Sequence, residues 1–151
     1  MTFEKATAQD TGMLTELRIA YLQEDLGEIE AVDLELIESL LPGYYEKHLN
    51  RNLMVYVARN EKDIVSCAFL LIVEKPMSPS FITGTVLNVY TKPEYRKKGY
   101  AKKLMNMMLE DAKAENVSII ELKATEDGYS LYQSVGFEDV AAKYHNMRIS
   151  L

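Results

Sequence analysis

The sequence predicts a single α+β domain in which a mixed, mostly antiparallel sheet of about six to seven strands is flanked by about four helices. Short, β-prone apolar runs alternate along the chain with longer segments of helical period. The 151 residues, 48% of them hydrophobic, suffice for one substantial core. No repeat, low-complexity tract or linker divides residues 1–151, so we expect one domain.

The first third of the chain predicts one short strand and two helices. Residues 3–6 are β-prone, and Asp10 is a candidate N-cap for a helix. That helix would turn three side chains inward, namely Leu14, Leu17 and Tyr21. A second helix begins near Asp33. We expect Pro42 and Gly43 to interrupt it, because proline removes a backbone donor and glycine is a poor helix former.

The remaining segments complete the expected sheet. Apolar runs at 53–58 and 64–73 flank a turn and predict a hairpin. Their nearly continuous apolar character implies that other elements cover both faces of the sheet. The other expected elements are strands at 81–91, 117–122 and 144–151 and a short helix at 127–134.

One succession of strand, turn and helix carries the clearest chemical signal. The strand that contains residues 86–90 stops before Pro93, and a turn with Gly99 leads into a helix whose apolar residues recur at i, i+3, i+4 and i+7. The first amides of a helix have no internal partner, and the helix dipole adds positive charge. Glycine leaves room for a close ligand. This arrangement predicts an anion site at the turn.

The distribution of charge supports an anionic ligand. Residues 92–103 contain six basic side chains and one acid, within a chain of net charge -6. A multiply phosphorylated ligand would account for this local excess. The phosphate-binding spacings G-x-x-x-x-G-K-S/T and G-x-G-x-x-G are both absent. The acidic balance of the whole chain argues against a general nucleic-acid-binding protein.

The segment R-x-x-G-x-A at residues 96–101 resembles the acetyl-CoA signature Q/R-x-x-G-x-G/A of the GNAT superfamily of N-acetyltransferases. A strand comes before it, and its arginine is also the last residue of x-P-x-x-R at 92–96. An amphipathic helix follows it. The resemblance implies a GNAT-like fold and acetyl-CoA as cosubstrate. It also implies that the pyrophosphate binds at Arg96, Lys97, Lys98, Gly99, Tyr100 and Ala101. A basic, solvated helix start is the alternative interpretation.

A second motif, L-Y-x-x-x-G-F, occupies residues 131–137 and resembles the end of the short GNAT helix. The resemblance implies that Tyr132 is the general acid, and a phenol is able to protonate a departing thiolate. Packing of Tyr132 under the cofactor is the alternative. GNAT proteins usually have asparagine seven residues earlier, as a cofactor contact, and Thr125 stands there in this chain. A hydroxyl replaces only part of the hydrogen bonding of an amide.

The resemblance also assigns roles to the strand at 81–91. GNAT proteins bind the pantetheine arm there through backbone groups, and the matching positions are Val89 and Thr91. The amide of Val89 would face the thioester oxygen and stabilise the developing oxyanion, so we count Val89 with Tyr132 as catalytic.

The general base is not determined by the sequence. The strand at 82–90 contains no carboxylate, so the candidates are Glu24, Glu74, Glu121 or ordered water. Asn88 is polar within an apolar strand, so it either lines the acceptor pocket or is a hydrogen-bonded core residue.

The expected activity is transfer of an acetyl group from acetyl-CoA to a primary amine by direct attack. Seven acids and no base lie between Glu24 and Glu38, and the GNAT resemblance puts this region near the acceptor. We therefore expect a cationic small molecule or a peptide amine as acceptor. A solvated acidic face is the alternative. The other functional classes considered are a non-catalytic acyl-CoA-binding sensor and an interaction module.

The remaining expectations concern partners and location. We expect no metal, because the two histidines lack partners at metal-ligand spacing. We expect a cytoplasmic protein with no membrane or nucleic-acid partner, since no segment resembles a signal peptide or a membrane span and a single cysteine excludes an internal disulfide. A homodimer is left open.

Overall fold

A five-stranded sheet organises the fold, and the computed structural model describes all of residues 1–151. The strands, in spatial as in chain order, are β1 (Thr2–Lys5), β2 (Leu53–Asn60), β3 (Asp63–Glu74), β4 (Ile82–Thr91) and β5 (Ile119–Glu121). Strands β1 to β4 pair antiparallel, whereas β5 runs parallel to β4. The expected mixed α+β fold and the β2–β3 hairpin are confirmed. The expected count of six to seven strands is wrong.

Four helices accompany the sheet, as the sequence predicts. They are α1 (Thr11–Leu26), α2 (Ala31–His48), α3 (Tyr100–Ala114) and α4 (Glu126–Ser134). Short 3-10 turns at Ala8–Asp10 and Pro93–Tyr95 precede α1 and the loop before α3. None of the helices is long and apolar enough to cross a lipid bilayer.

Each face of the sheet carries its own apolar core. Helices α1 and α2 cover one face, where Leu14, Leu17 and Tyr45 pack against inward side chains of β2, β3 and β4. Helix α3 covers the other face with Leu104 and Met108, and the chain around α4 extends that second core. The doubly covered strands explain the continuous apolar runs of β2 and β3.

The predicted strand at 144–151 does not form. Its residues are exposed and lie in no helix or strand. The alternation of Met147, Ile149 and Leu151 with polar neighbours gives the segment strand character, but a strand also needs an edge to pair with. The edge strand β5 has only three residues in the sheet.

The predicted break in the second helix does not occur either. Helix α2 is continuous across Pro42 and Gly43. A proline at this position removes the hydrogen bond to the carbonyl four residues earlier, that of Glu38. Both Glu38 and Pro42 are exposed, so water can hydrate the freed carbonyl. The buried ring of Tyr45 holds the following turn on the sheet.

Strands β4 and β5 separate soon after they meet. Strand β5 pairs only with Thr83, Gly84 and Thr85, so the outer edge of β4 is uncovered from Val86 onward. A β-bulge occurs at Leu87, because its neighbours pair with successive residues of β3. The bulge reverses the side-chain alternation of β4. Val86 and Val89 therefore both contact the α3 core, whereas Tyr90 joins the α1 core.

Candidate active site

A cleft of about 790 Å³ opens where β4 and β5 separate. The uncovered part of β4, the first turn of α3, helix α4 and the C-terminal half of α1 form its walls. It brings together most of the predicted site residues, namely Val89, Thr91, Arg96, Lys97, Gly99, Tyr100, Ala101, Thr125 and Tyr132. Lys98 is the one predicted residue that does not line the cleft. Its side chain instead donates to the carbonyl of Glu94 and lies over the ring of Tyr95.

The edge of β4 presents two backbone amides to this cleft. The amide of Lys92 donates to the carbonyl of Val65 at 2.9 Å. This bond shows which residue pairs of the β3–β4 ladder are hydrogen-bonded and which are not. Bonded and non-bonded pairs alternate in an antiparallel ladder. Val89 and Thr91 occupy the non-bonded positions opposite Ala68 and Ser66, so their N–H groups point away from β3. These are the positions that the sequence assigns to the pantetheine arm.

The turn before α3 presents a continuous run of free amides. The N–H groups of residues 97–102 donate to no acceptor within the protein. Lys97 and Gly99 both have positive φ, at 63° and 79°, and this left-handed backbone turns successive amides toward the same side. Gly99 is the N-cap residue of α3, and a Cβ built on it would meet nothing within 4 Å. The turn is therefore an open anion site with the positive end of the helix dipole behind it.

The basic side chains around the turn divide into two groups. Lys92 pairs with Asp63 at 2.6 Å, and Lys103 lies over the ring of Phe3. Lys97 and Lys102 line the cleft and form no ion pair. The positive charge available to a ligand thus comes mainly from these two lysines and the free amides.

Arg96 joins the turn to the end of α1. Its Nε donates to the carbonyl of Thr91 at 2.8 Å, and one Nη donates to Glu24 at 2.7 Å. The guanidinium also lies 5.5 Å from the ring centroid of Tyr90. Hydrogen bonding from Arg96 lowers the pKa of the Glu24 carboxyl, although partial burial opposes the shift.

Tyr132 lies on α4, packed at the border of the α3 core. Its ring contacts Phe137 edge-on at a centroid distance of 6.0 Å, and its carbonyl accepts from the Phe137 amide. Gly136, at φ 105°, ends the helix in a conformation that favours glycine. The L-Y-x-x-x-G-F motif thus folds as a helix stop that positions the tyrosine. Burial, and secondarily Tyr21, raises the pKa of the Tyr132 phenol.

Thr125 also stabilises the start of α4, a role that the family resemblance did not predict. It is the N-cap residue of α4, and its hydroxyl oxygen accepts from the amide of Gly128 at 3.1 Å. The hydroxyl hydrogen is still available to a ligand. The T-E-D-G sequence, with acids in the first turn, is a recognisable N-cap signal.

The candidate bases differ sharply in position. Glu74 pairs with Ile82 at the far end of β4, roughly 20 Å along the strand from Val89. Glu121 is exposed on β5 and does not line the cleft. Glu24 does line the cleft, but its ion pair with Arg96 and its lowered pKa make it a weak base. None of the three carboxylates combines access with basicity.

Three residues near the cleft were not singled out as site residues by the sequence. Arg18 donates to Asn88, Leu87 lines the cleft as the bulge residue, and Gly128 lines it beside Tyr132. Arg18 follows Leu14 by four residues, so helical spacing alone puts it beside the inward stripe of α1. Gly128 likewise precedes Tyr132 by one turn. The bulge at Leu87 has no local signal.

Comparison with known proteins bears on the family. A family model described as the acetyltransferase (GNAT) domain matches residues 51–139, which include β4, the anion turn and the Tyr132 motif. The chain belongs to the GNAT acetyltransferase family. Among curated protein sequences none matches it.

Solved structures share the fold of this GNAT chain over nearly its whole length. A predicted acetyltransferase from Clostridium acetobutylicum, solved with acetyl-CoA, is 25% identical, with a TM-score of 0.83 over 97% of this chain and 95% of that one. A GCN5-related N-acetyltransferase from Ralstonia eutropha JMP134 is 21% identical, with a TM-score of 0.79 and 97% of both chains covered. A ribosomal-protein-alanine N-acetyltransferase from Brucella melitensis is 21% identical, with a TM-score of 0.70 and full coverage.

The family membership supports an acyltransferase activity and acetyl-CoA as the ligand of the GNAT fold. The residues of this chain fit such a ligand. The cleft combines two outward strand amides, a run of free turn amides and two unpaired lysines. No cluster of three or more histidine, cysteine, aspartate or glutamate side chains is arranged to hold a metal ion.

Proposed function

We propose that this GNAT domain is an N-acetyltransferase that moves an acetyl group from acetyl-CoA to a primary amine of a small molecule or peptide by direct attack. The observation that carries the proposal is the convergence of outward strand amides, the free amides of residues 97–102 and Tyr132 in one cleft. With its pyrophosphate at the turn, acetyl-CoA would extend its pantetheine arm along β4 toward the side chain of Tyr132.

Three groups of this chain would act on the reaction. The amide of Val89 stabilises negative charge that develops on the thioester oxygen as the amine attacks. The phenol of Tyr132 donates its proton to the departing thiolate. A phenol, with a reference pKa of about 10, is protonated at neutral pH, and burial raises the pKa of Tyr132 further. Gly99 and its neighbours hold the phosphates and take no part in the bond changes.

We assign removal of the amine proton to solvent water. Glu74 and Glu121 lie outside the cleft, and Glu24 is held as an ion pair. The preference for a cationic acceptor also stays a prediction. Of the seven acids between Glu24 and Glu38, only Glu24 and Asp25 line the cleft, and the charge of Glu24 is balanced by Arg96. A cytoplasmic location is likewise a proposal, and a homodimer is left open.

An assay of thiol release from acetyl-CoA across a panel of primary amines tests the proposed activity. We expect amine-dependent release of free CoA by the wild-type protein and a strong reduction in the Tyr132→Phe variant. Binding of acetyl-CoA without release in the presence of any amine would instead favour a non-catalytic acyl-CoA sensor. A protein that does not bind acetyl-CoA at all would favour an interaction module.

A further inference from the structure

Arg18 on α1 is a half-buried arginine without an acidic partner. The chain has two half-buried arginines, Arg18 and Arg59. Arg59 donates to Glu4 and to Asp10, each at 2.8 Å. Arg18 has no carboxylate within 4.0 Å, although ionised side chains are rarely buried unless they are paired.

The contacts of Arg18 are to neutral groups alone. One Nη donates to the Oδ1 atom of Asn88 at 3.4 Å, and the guanidinium lies 4.9 Å from the ring centroid of Tyr21. Asn88 is only 4% exposed, and its amide nitrogen faces the sulfur of Cys67. These contacts orient the guanidinium and leave most of its five donors for another group. The guanidinium therefore has donors and a positive charge free for an anionic ligand.

The surroundings of Arg18 belong to the cleft. Arg18 itself is not among the residues that line the cleft, but both of its contact residues, Asn88 and Tyr21, are. Asn88 is adjacent to Val89, whose amide would hold the thioester oxygen. Because of the bulge at Leu87, Tyr90 packs with α1, and the contact between Arg18 and Asn88 lies on this same side. The anion turn and Tyr132 contact the core of the opposite face. An amine that approaches β4 from the α1 side would therefore pass Arg18.

The single guanidinium of Arg18 indicates that its ligand carries one negative charge. The turn at 97–102 has several free amides and neighbouring lysines, as a phosphate dianion requires. Arg18 stands alone, without a helix start or a second base among its contacts. A planar guanidinium matches a carboxylate in a two-point contact.

We infer that Arg18 binds a carboxylate of the acceptor, so that the acceptor is a small amino acid whose amine lies within a few bonds of its carboxylate. The inference rests on the proposed N-acetyltransferase activity and adds the substrate class. It differs from the cationic acceptor expected from the acidic stretch. Arg18 contacts the reacting strand at Asn88, whereas only two of those seven acids line the cleft.

Matched acceptors test the inference with the thiol-release assay. The probes are α- and ω-amino acids, each compared with its carboxamide and with the amine that lacks the carboxyl group. In the wild-type protein we expect kcat/KM to be at least about 10-fold higher for the carboxylate member of each accepted set. Arg18→Gln should abolish that ratio, mainly by raising KM for the amino acid, by about 10- to 100-fold.

Controls separate this role from a structural one. In Arg18→Gln the amine without a carboxyl group should react within about 3-fold of wild type, and the dissociation constant of acetyl-CoA should not change. Arg18→Lys keeps the charge without the planar fork, so part of the preference for carboxylate should return. Arg51 is exposed in the turn before β2, so Arg51→Gln should behave as wild type.

The outcomes are distinct. Equal or better use of carboxamides or cationic amines overturns the inference while leaving N-acetyl transfer intact. A preference for amino acids that survives in both Arg18 variants also overturns it, since another group would then bind the carboxylate. Absence of transfer to every amine contradicts the proposed function itself, and with it the inference.

Discussion

Gly128 lies one helical turn before Tyr132, and the tyrosine ring leaves no room for a side chain on it. A Cβ atom built on Gly128 would lie 2.9 Å from Cε2 of Tyr132 and 3.2 Å from Oγ1 of Thr125. The first distance is too short for two carbon atoms, so any larger residue would displace the ring. Gly128 therefore positions Tyr132, because it has no side chain that would push the ring away.

The variant Gly128→Ala should lower kcat by at least about 10-fold, because a small displacement of a reacting group is costly. Alanine is a better helix former than glycine, so loss of α4 would not explain the effect. Acetyl-CoA affinity, measured by calorimetry, should change less than kcat. Gly43→Ala in α2 is the matched control, since its Cβ meets nothing within 4 Å. Wild-type kcat in Gly128→Ala would show that the ring tolerates the shift.

The variant Tyr132→Phe should lower kcat by about 10²-fold while the acetyl-CoA dissociation constant stays near that of wild type. Only the proton donor is lost, because the ring keeps its contact with Phe137. The alkaline limb of the wild-type kcat profile should lie above pH 10, since burial raises the pKa of Tyr132 above its usual 10.0. Unchanged turnover, measured where chemistry limits the rate, would reduce Tyr132 to a packing role.

Gly99→Val should raise the acetyl-CoA dissociation constant by about 10-fold or more, because valine disfavours the positive φ of 79° and would disturb the free amides. Gly27→Val is a matched control. Gly27 also has positive φ and open space, but it lies at the end of α1, outside the anion turn. Both variants should lose stability in thermal unfolding. Equal acetyl-CoA affinity in the two folded variants would argue against the pyrophosphate binding at this turn.

Glu24→Gln should leave kcat within about 3-fold of wild type if water removes the amine proton. A loss of 10²-fold, together with loss of the acid limb, would instead make Glu24 the base. Stability gives a second measurement. Arg96 lowers the pKa of Glu24 below 4.5, so the ion pair stabilises the fold above that pH and ceases to do so as pH falls through the lowered pKa. The stability difference, below about 1 kcal/mol for an exposed pair, should therefore vanish in acid.

The thiol of Cys67 should not react with Ellman's reagent at pH 8 in the native protein. Cys67 is fully buried in β3, and burial raises the pKa of its thiol to about 12. The unfolded protein in guanidinium should react completely, which provides the control. The absorbance produced by the reagent, read at equal protein concentration, measures the reaction of the native and of the unfolded protein. Rapid native reaction would mean that β3 and β4 open readily, and it would add a background to the thiol-release assay.

Much of the candidate site is local in sequence and was predictable for that reason. The anion turn needs only Gly99, the free helix start and the neighbouring bases, all within one short segment. The helix stop at Gly136 and Phe137 likewise follows from adjacent residues. The direction of the Lys98 side chain was not predictable in this way, since it turns back toward Glu94.

The sequence by itself determined the α+β class, the strand–turn–helix that presents free amides, and the motif that carries Tyr132. Each depends on residue types at fixed short spacing. Only the tertiary structure decided where β4 and β5 separate, which amides of β4 face outward and whether residues 144–151 form a strand. It alone brought Arg96 to Glu24, 72 residues away, and Arg18 to Asn88, 70 residues away. Such contacts depend on how helices pack across the sheet, which no local pattern encodes.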